Sequence, residues 1–140
     1  MEKQYIAFKL GQEEYAVDIL AVKEIIRWTH ITRVPKAPSF IYGVINLRGN
    51  VIPVFNTHLR LQLPASVLTD QARIIIFEKE DLVIGLVVDQ VVEVIALEEN
   101  KLEKPQMFEG NHRFIKNIGK IGDRLIMILN LAKIFDLKLC

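Results

Sequence analysis

The chain has 140 residues, 51% of them hydrophobic, with 18 Lys and Arg set against 17 Asp and Glu for a net charge of +1. One domain of this size buries roughly 70% of its unfolded-chain surface and needs neither disulfide nor metal to fold. The charge balance excludes a sustained positive field, and no basic cluster interleaved with aromatics stands out, so nucleic acid is a poor candidate partner.

Met1 to Gln4 leads straight into an alternating segment, with no apolar run or cleavage site of a signal peptide. Tyr5 to Leu10 predicts a strand, Gly11 to Glu14 a turn and Tyr15 to Leu20 a second strand; residues 18 to 28 admit a helical reading, but the β-branched Val22 to Trp28 favours a third, bent strand. Pro35 and Pro38 impose an extended or irregular path on Ile31 to Ser39. Two apolar runs then flank Asn46-Leu47-Arg48-Gly49-Asn50, whose glycine and asparagines suit a tight reversal, and Arg48 falls at the tip of this hairpin. Thr57 to Leu63 predicts one or two helical turns capped by Asn56 or Thr57, and Val67 to Gln71 a surface loop.

A second set of elements follows. Arg73 to Phe77 and Leu82 to Asp89 predict another hairpin, which Val91 to Ile95 extends. The segment from Leu82 to Leu97 is shorter than the ~20 residues of a membrane-spanning helix and carries Asp89 and Glu93 within it. Glu98 to Arg113 is polar and reads as a long surface connection. Phe114 to Ile121 and Leu125 to Leu129 bracket Gly122-Asp123 as a second central hairpin, and Asn130 to Leu137 has the cap and spacing of a short final helix.

The two sets are related. A shift of 69 residues lays Phe8 on Phe77, Ala16 on Gly85, Val22 on Val91, Glu24 on Glu93 and Ile26 on Ile95. A shift of 74 lays Phe40-Ile41 on Phe114-Ile115 and Ile52 to Asn56 on Ile126 to Asn130. This internal repeat predicts two small antiparallel β units, each of about five strands and closed into a barrel to remove its edges. Each unit, at about 65 residues, is too small to be comfortable alone, so a shared apolar interface is expected. Their boundaries fall at approximately 1–66 and 67–140, with the terminal segment able to cross over.

Catalytic chemistry is hard to find. His30, His58 and His112 are scattered and read as surface histidines, and no nucleophile elbow, P-loop or His-x-x-x-His spacing occurs. Asp89 and Glu93 could be read as an acid and base pair, but Glu24 recurs at the place of Glu93, which favours a polar residue at a strand bend. Cys140 is the only cysteine, which excludes an intrachain disulfide and points to a reducing, cytoplasmic setting. No cofactor or metal site is expected.

The residues Glu13-Glu14-Tyr15, Asp18-Ile19-Leu20, Val22-Lys23-Glu24-Ile25, Pro38 to Gly49, Ile52-Pro53-Val54 and Gly85 to Asp89 together resemble the CheW-like family of bacterial chemotaxis coupling proteins, with Gly43-Val44-Ile45-Asn46-Leu47-Arg48-Gly49 the most specific piece. The resemblance covers nearly the whole chain. It implies a mainly all-β fold of two five-stranded SH3-like β barrels packed on each other, with short helical turns and a short C-terminal helix. It also implies a non-enzymatic adaptor, cytoplasmic and recruited to membrane receptor arrays. The implied partners are the cytoplasmic tip of methyl-accepting chemoreceptors and the regulatory domain of the histidine kinase CheA. By motif position, Arg48, Gly43 and Gly49 carry over as members of the partner-binding surface, and Val22, Glu24 and Ile25 as another part of it.

One departure stands out: where the family commonly continues after its Pro-Val with Asp-Leu-Arg, this chain has Phe55-Asn56-Thr57-His58-Leu59-Arg60, and the later equivalent is Asn130-Leu131. That removes carboxylates but keeps helix-capping side chains. Two rival readings remain open. A small-barrel nucleic-acid-binding protein would show exposed aromatics beside lysines, and an enzyme would show a pocket lined by Asp89, Glu93 and a histidine.

Overall fold

The computed structural model of the protein describes residues 1–105 and 112–136. Its strands are β1 (Glu2–Leu10), β2 (Glu13–Asp18), β3 (Val22–Arg27), β4 (Ile41–Leu47), β5 (Asn50–Phe55), β6 (Arg73–Lys79), β7 (Leu82–Val88), β8 (Gln90–Glu98), β9 (Ile115–Ile121) and β10 (Arg124–Leu129). Two single-turn helices, α1 (Thr57–Arg60) and α2 (Leu131–Ile134), follow β5 and β10. Residues 106–111 of the anticipated long connection, and Leu137 to Cys140, lie outside the described residues.

The strands form two five-stranded sheets, ordered β8-β1-β2-β10-β9 and β3-β6-β7-β5-β4. In each, the chain beyond one edge strand bridges to the other edge, Glu103 to Ile118 in the first sheet and Thr32 to Val44 in the second. These bridges curl the sheets into two SH3-like barrels and leave neither with an open edge along its full length.

The repeat holds pair by pair. Ile6 faces Val17 as Ile75 faces Leu86, Ile6 faces Val94 as Ile75 faces Ile25, and Val44 faces Pro53 as Ile118 faces Met127. Even the irregularities recur: the ladder breaks between Val22 and Glu24 in one barrel and between Ala7 and Phe8, opposite Glu93 and Val91, in the other. Asn56 and Asn130 each cap their helix through the side chain, accepting from Leu59 N and Lys133 N at 3.2 Å.

Sheet membership does not follow the two halves of the chain. The first sheet takes β1 and β2 from the first copy and β8, β9 and β10 from the second, and the second sheet takes the complement. A boundary near residue 66 therefore separates the copies but not the barrels. β8 likewise does not extend the β6–β7 hairpin; at Asp89 the chain crosses over to pair with β1.

Exchange explains the burial pattern. Ile74 and Ile76 fill the second barrel with Ile45, Ile52, Val54 and Val87, whereas Ile75 and Phe77 turn the other way into a core shared with Ile6, Phe8, Val17, Phe55 and Phe114. A strand buried on both faces carries a continuous apolar run instead of an alternating one. The first barrel has its own smaller filling, including Tyr5, Ala7, Ala16, Ile126 and Ile128.

α1 and α2 meet at a buried cation. Arg60, 3% exposed, donates from Nε to Ile134 O at 2.8 Å and from a terminal nitrogen to Asp136 O at 2.5 Å. Its guanidinium lies 4.2 Å from the Phe40 ring centre and 5.1 Å from that of Phe114, the equivalent residue of the other copy. A positive charge at the carbonyl end of α2 is electrostatically favourable.

Candidate functional site

The hairpin tip is built by its turn. Leu47 pairs with Asn50, leaving Arg48 and Gly49 as a two-residue loop with φ of 52° and 86°. Positive φ at both positions is what the twist of a two-residue hairpin demands. Asn46 Oδ1 accepts from Gly49 N at 3.0 Å and closes the turn from inside. The equivalent of Arg48 in the other copy is Gly122, at φ 59°, so an arginine occupies a conformation that glycine adopts without strain.

Arg48 reaches β3 and is ion-paired through a terminal nitrogen with Glu24 Oε2. Two parts of the anticipated surface, far apart in sequence, thus meet at one point. Arg48 is 66% exposed at its side chain and Glu24 26%. Only one guanidinium nitrogen is engaged, so further N–H donors remain for a carboxylate.

The other anticipated residues divide. Ile25 lies on the outward face of β3, 38% exposed, while Val22 packs against the core shared by the barrels. Gly49 is exposed. Gly43 is buried, and a Cβ there would sit 2.2 Å from Thr32 O. It admits the bridge that closes the second barrel and offers a partner no surface. Val51, 70% exposed, and Leu82, 49% exposed, were not anticipated; with Lys23 and Asp81 they line a shallow hollow beside Arg48. Their signal was an apolar residue on each side of a polar turn.

A second depression runs between the barrels, walled by Lys3, Asp18, Leu20, Lys79, Lys116 and Leu131. Leu20 is 86% exposed, and Lys3 of β1 pairs with Asp18 of β2 on the wall of the first barrel at 3.5 Å.

Glu93, the counterpart of Glu24, is paired with a different arginine. Arg124 donates to Glu93 at 2.7 Å and bidentately to Glu14 at 3.0 and 2.6 Å. These bonds hold the Glu14 carboxyl below the usual range. Asp89 and Glu93 therefore form no acid and base pair.

His58 is not a surface histidine. It is 7% exposed, with Nδ1 2.9 Å from Pro64 O and Nε2 2.9 Å from Asp89 Oδ1. Ser66 Oγ donates to Asp89 Oδ2 at 2.8 Å and Gly11 N to the same oxygen at 2.7 Å. In a hydrolytic triad the carboxylate holds Nδ1 while the hydroxyl faces Nε2; here both crowd Nε2, and the cluster ties the β1–β2 turn to α1 and the crossover. Among the described residues no group of three or more His, Cys, Asp or Glu is placed to hold a metal ion, and no helix is long and apolar enough to cross a membrane.

Residues 4–138 match the model of the CheW-like domain family. Chemotaxis protein CheW of Bacillus subtilis is 37% identical over 138 residues, 96% of this chain and 87% of that protein. Chemotaxis protein CheW of Helicobacter pylori is 35% identical over 132 residues, 94% of this chain and 80% of that protein. The crystal structure of scaffolding protein TtCheW from Thermoanaerobacter tengcongensis superposes with a TM-score of 0.91 at 37% identity, covering 98% of this chain and 90% of that one. These are the names of chemotaxis and scaffolding proteins, not of enzymes. The chain belongs to the CheW-like domain family.

Proposed function

We propose that the protein is a cytoplasmic adaptor that couples transmembrane chemoreceptors to a CheA-type histidine kinase at membrane receptor arrays, without catalysis of its own. The observation that carries this reading is the Arg48–Glu24 ion pair, which joins the hairpin tip to β3 beside the exposed Val51 and Leu82. An arginine with unused donors next to apolar side chains offers charge recognition with a hydrophobic anchor, the composition of interface hot spots. Arg48, Glu24, Ile25 and Gly49 form the contact surface on this reading, and Val22 and Gly43 shape the backbone beneath it.

The depression between the barrels suits a different contact. Leu20 and Leu131 provide apolar surface, and Lys3, Lys79 and Lys116 together with Asp18, Glu78 and Glu80 provide charge of both signs along its rim, a combination suited to an amphipathic receptor helix. The test is a pull-down with a receptor signalling fragment, with and without the kinase. Wild-type protein retains both; Arg48→Glu, which faces Glu24 with a like charge, loses kinase or receptor from the complex. Unchanged retention of both partners by Arg48→Glu would sink the assignment of Arg48.

A further inference from the structure

We propose that the end of the second barrel opposite the Arg48 tip is a docking surface for an acidic, apolar-anchored segment of a partner protein. It begins on β3 two residues beyond Ile25, where the Arg48 surface ends. β3 leaves the barrel at Arg27 where β6 enters it at Arg73, and the two arginines stand directly opposite each other in the antiparallel ladder. Like charges so placed oppose the pairing of their strands. Arg73 donates to the carbonyls of Asp70 at 3.0 Å and Ala72 at 2.8 Å, which orient its guanidinium without neutralising it.

The segment that closes the barrel through Thr32 adds Arg33 and Lys36, both exposed. Lys36 has φ 64° and follows Pro35 in a turn closed by Ala37 N and Val34 O at 3.4 Å. That is the place in a type II turn where glycine is favoured. This end of the barrel therefore keeps two costly features, an opposed arginine pair and a lysine in a glycine conformation, and both place positive charge there. Among the described residues Arg27, Arg33, Lys36 and Arg73 have no ion-pair partner, and the exposed Asp70 of the adjoining loop has none either.

Apolar surface lies among these cations. Trp28 is 44% exposed and meets Tyr42 edge-on at 5.7 Å, and Val34 is 43% exposed. Arginine with tryptophan and tyrosine is the composition of protein interface anchors. Arginine forks take carboxylates bidentately, and bound apolar side chains exclude the water that would screen the contact. A nucleic-acid strand calls for a longer cationic track than four side chains supply in a chain of net charge +1. A short acidic peptide matches the patch in size and sign.

Trp28 is the only tryptophan, so its emission reads occupancy directly. The experiment titrates the full chain with the peptide acetyl-Glu-Glu-Leu-Glu-Glu-Phe-Glu-Glu-amide and with its counterpart carrying Gln for every Glu. The expected result is a saturable emission change with the acidic peptide. Binding should be roughly tenfold weaker for the Gln peptide and for Arg27→Glu/Arg33→Glu, and unchanged in Arg48→Glu. Lys36→Gly relaxes the turn, so it should raise the thermal midpoint while weakening the peptide. If the double variant unfolds, Arg33→Gln on the exposed segment carries the same test. No saturable change with the acidic peptide, equal binding by the arginine variants, or tighter binding of an oligothymidine strand than of the peptide would each overturn the proposal.

Discussion

His58 Nε2 lies 2.9 Å from Asp89 Oδ1, and that contact ties the helix after β5 to the point where the chain crosses from one barrel to the other. Pro64 O sits at 2.9 Å from the other ring nitrogen. His58→Leu leaves Asp89 without this partner in a site where the carboxylate is 16% exposed, and should cost about 2 kcal/mol of stability. His30→Ala, at an exposed position, should change it by less than about 0.5 kcal/mol. Urea denaturation of the two variants measures the difference.

The same cluster sets a pH dependence. Burial pushes the Asp89 carboxyl up, but the bonds from Gly11, His58 and Ser66 outweigh it and hold the group below its ordinary value. A carboxyl depressed in the folded state contributes stability that is fully present above its unfolded value and is lost as pH falls through the folded one. Stability should therefore decline from about pH 4 downward, and Asp89→Asn should be less stable at pH 7 but flatter over that interval. An Asp89→Asn profile parallel to wild type would show that another carboxyl carries the slope.

Arg48 separates fold from binding. Its side chain is exposed, so loss of the ion pair with Glu24 should cost only about 0 to 1 kcal/mol. Its backbone, at φ 52°, is strained for any residue with a Cβ. Arg48→Gly should accordingly be more stable than Arg48→Ala by about 0.5 to 1 kcal/mol, while both lose partner retention in the pull-down. Thermal melts read the first expectation and affinity capture the second.

Gly43 within β4 and Gly49 just beyond it should respond differently to alanine. At Gly43 a methyl group would meet Thr32 O at 2.2 Å, so Gly43→Ala must displace the closing bridge and should cost about 3 kcal/mol or more. At Gly49 a Cβ meets nothing within 4 Å, and only the positive φ opposes alanine, for about 1 kcal/mol. Chemical denaturation should rank Gly43→Ala as much the weaker protein.

Arg60→Ala is expected to lower stability by about 3 kcal/mol, because it uncaps the end of α2 and removes the cation from between Phe40 and Phe114. The near-ultraviolet circular dichroism of the aromatic cluster, which includes Phe55, Phe77 and Phe135, should fall with it.

Hairpins, caps and the repeat were legible in the chain because each depends on neighbours in sequence. Gly and Asn at the Arg48 turn, Asn56 and Asn130 at the helix starts, and the Val22-x-Glu24 pattern recurring at Val91 and Glu93 are short-range signals, and the shifts of 69 and 74 residues follow from them. Burial of polar side chains was not legible. His58 and Arg60 lie on a single helical turn whose neighbours come from Asp89 and Ile134, 31 and 74 residues away, and no local pattern names such partners.

The choice of sheet was the larger decision left to tertiary structure. The run Ile74-Ile75-Ile76-Phe77 announces a strand, but not that its two faces belong to different cores. Each copy of the repeat sends its first two strands to one barrel and the rest to the other, and both faces of β1 and β6 are buried, one in a barrel's own core and one in the core the barrels share. Within the second barrel β3 and β4 are the two edge strands of one sheet, and the closure of that sheet through Thr32 and Val44 brings Glu24 to Arg48. The residues of the contact were written locally; their meeting follows from the closure of the sheet that has β3 and β4 at its edges.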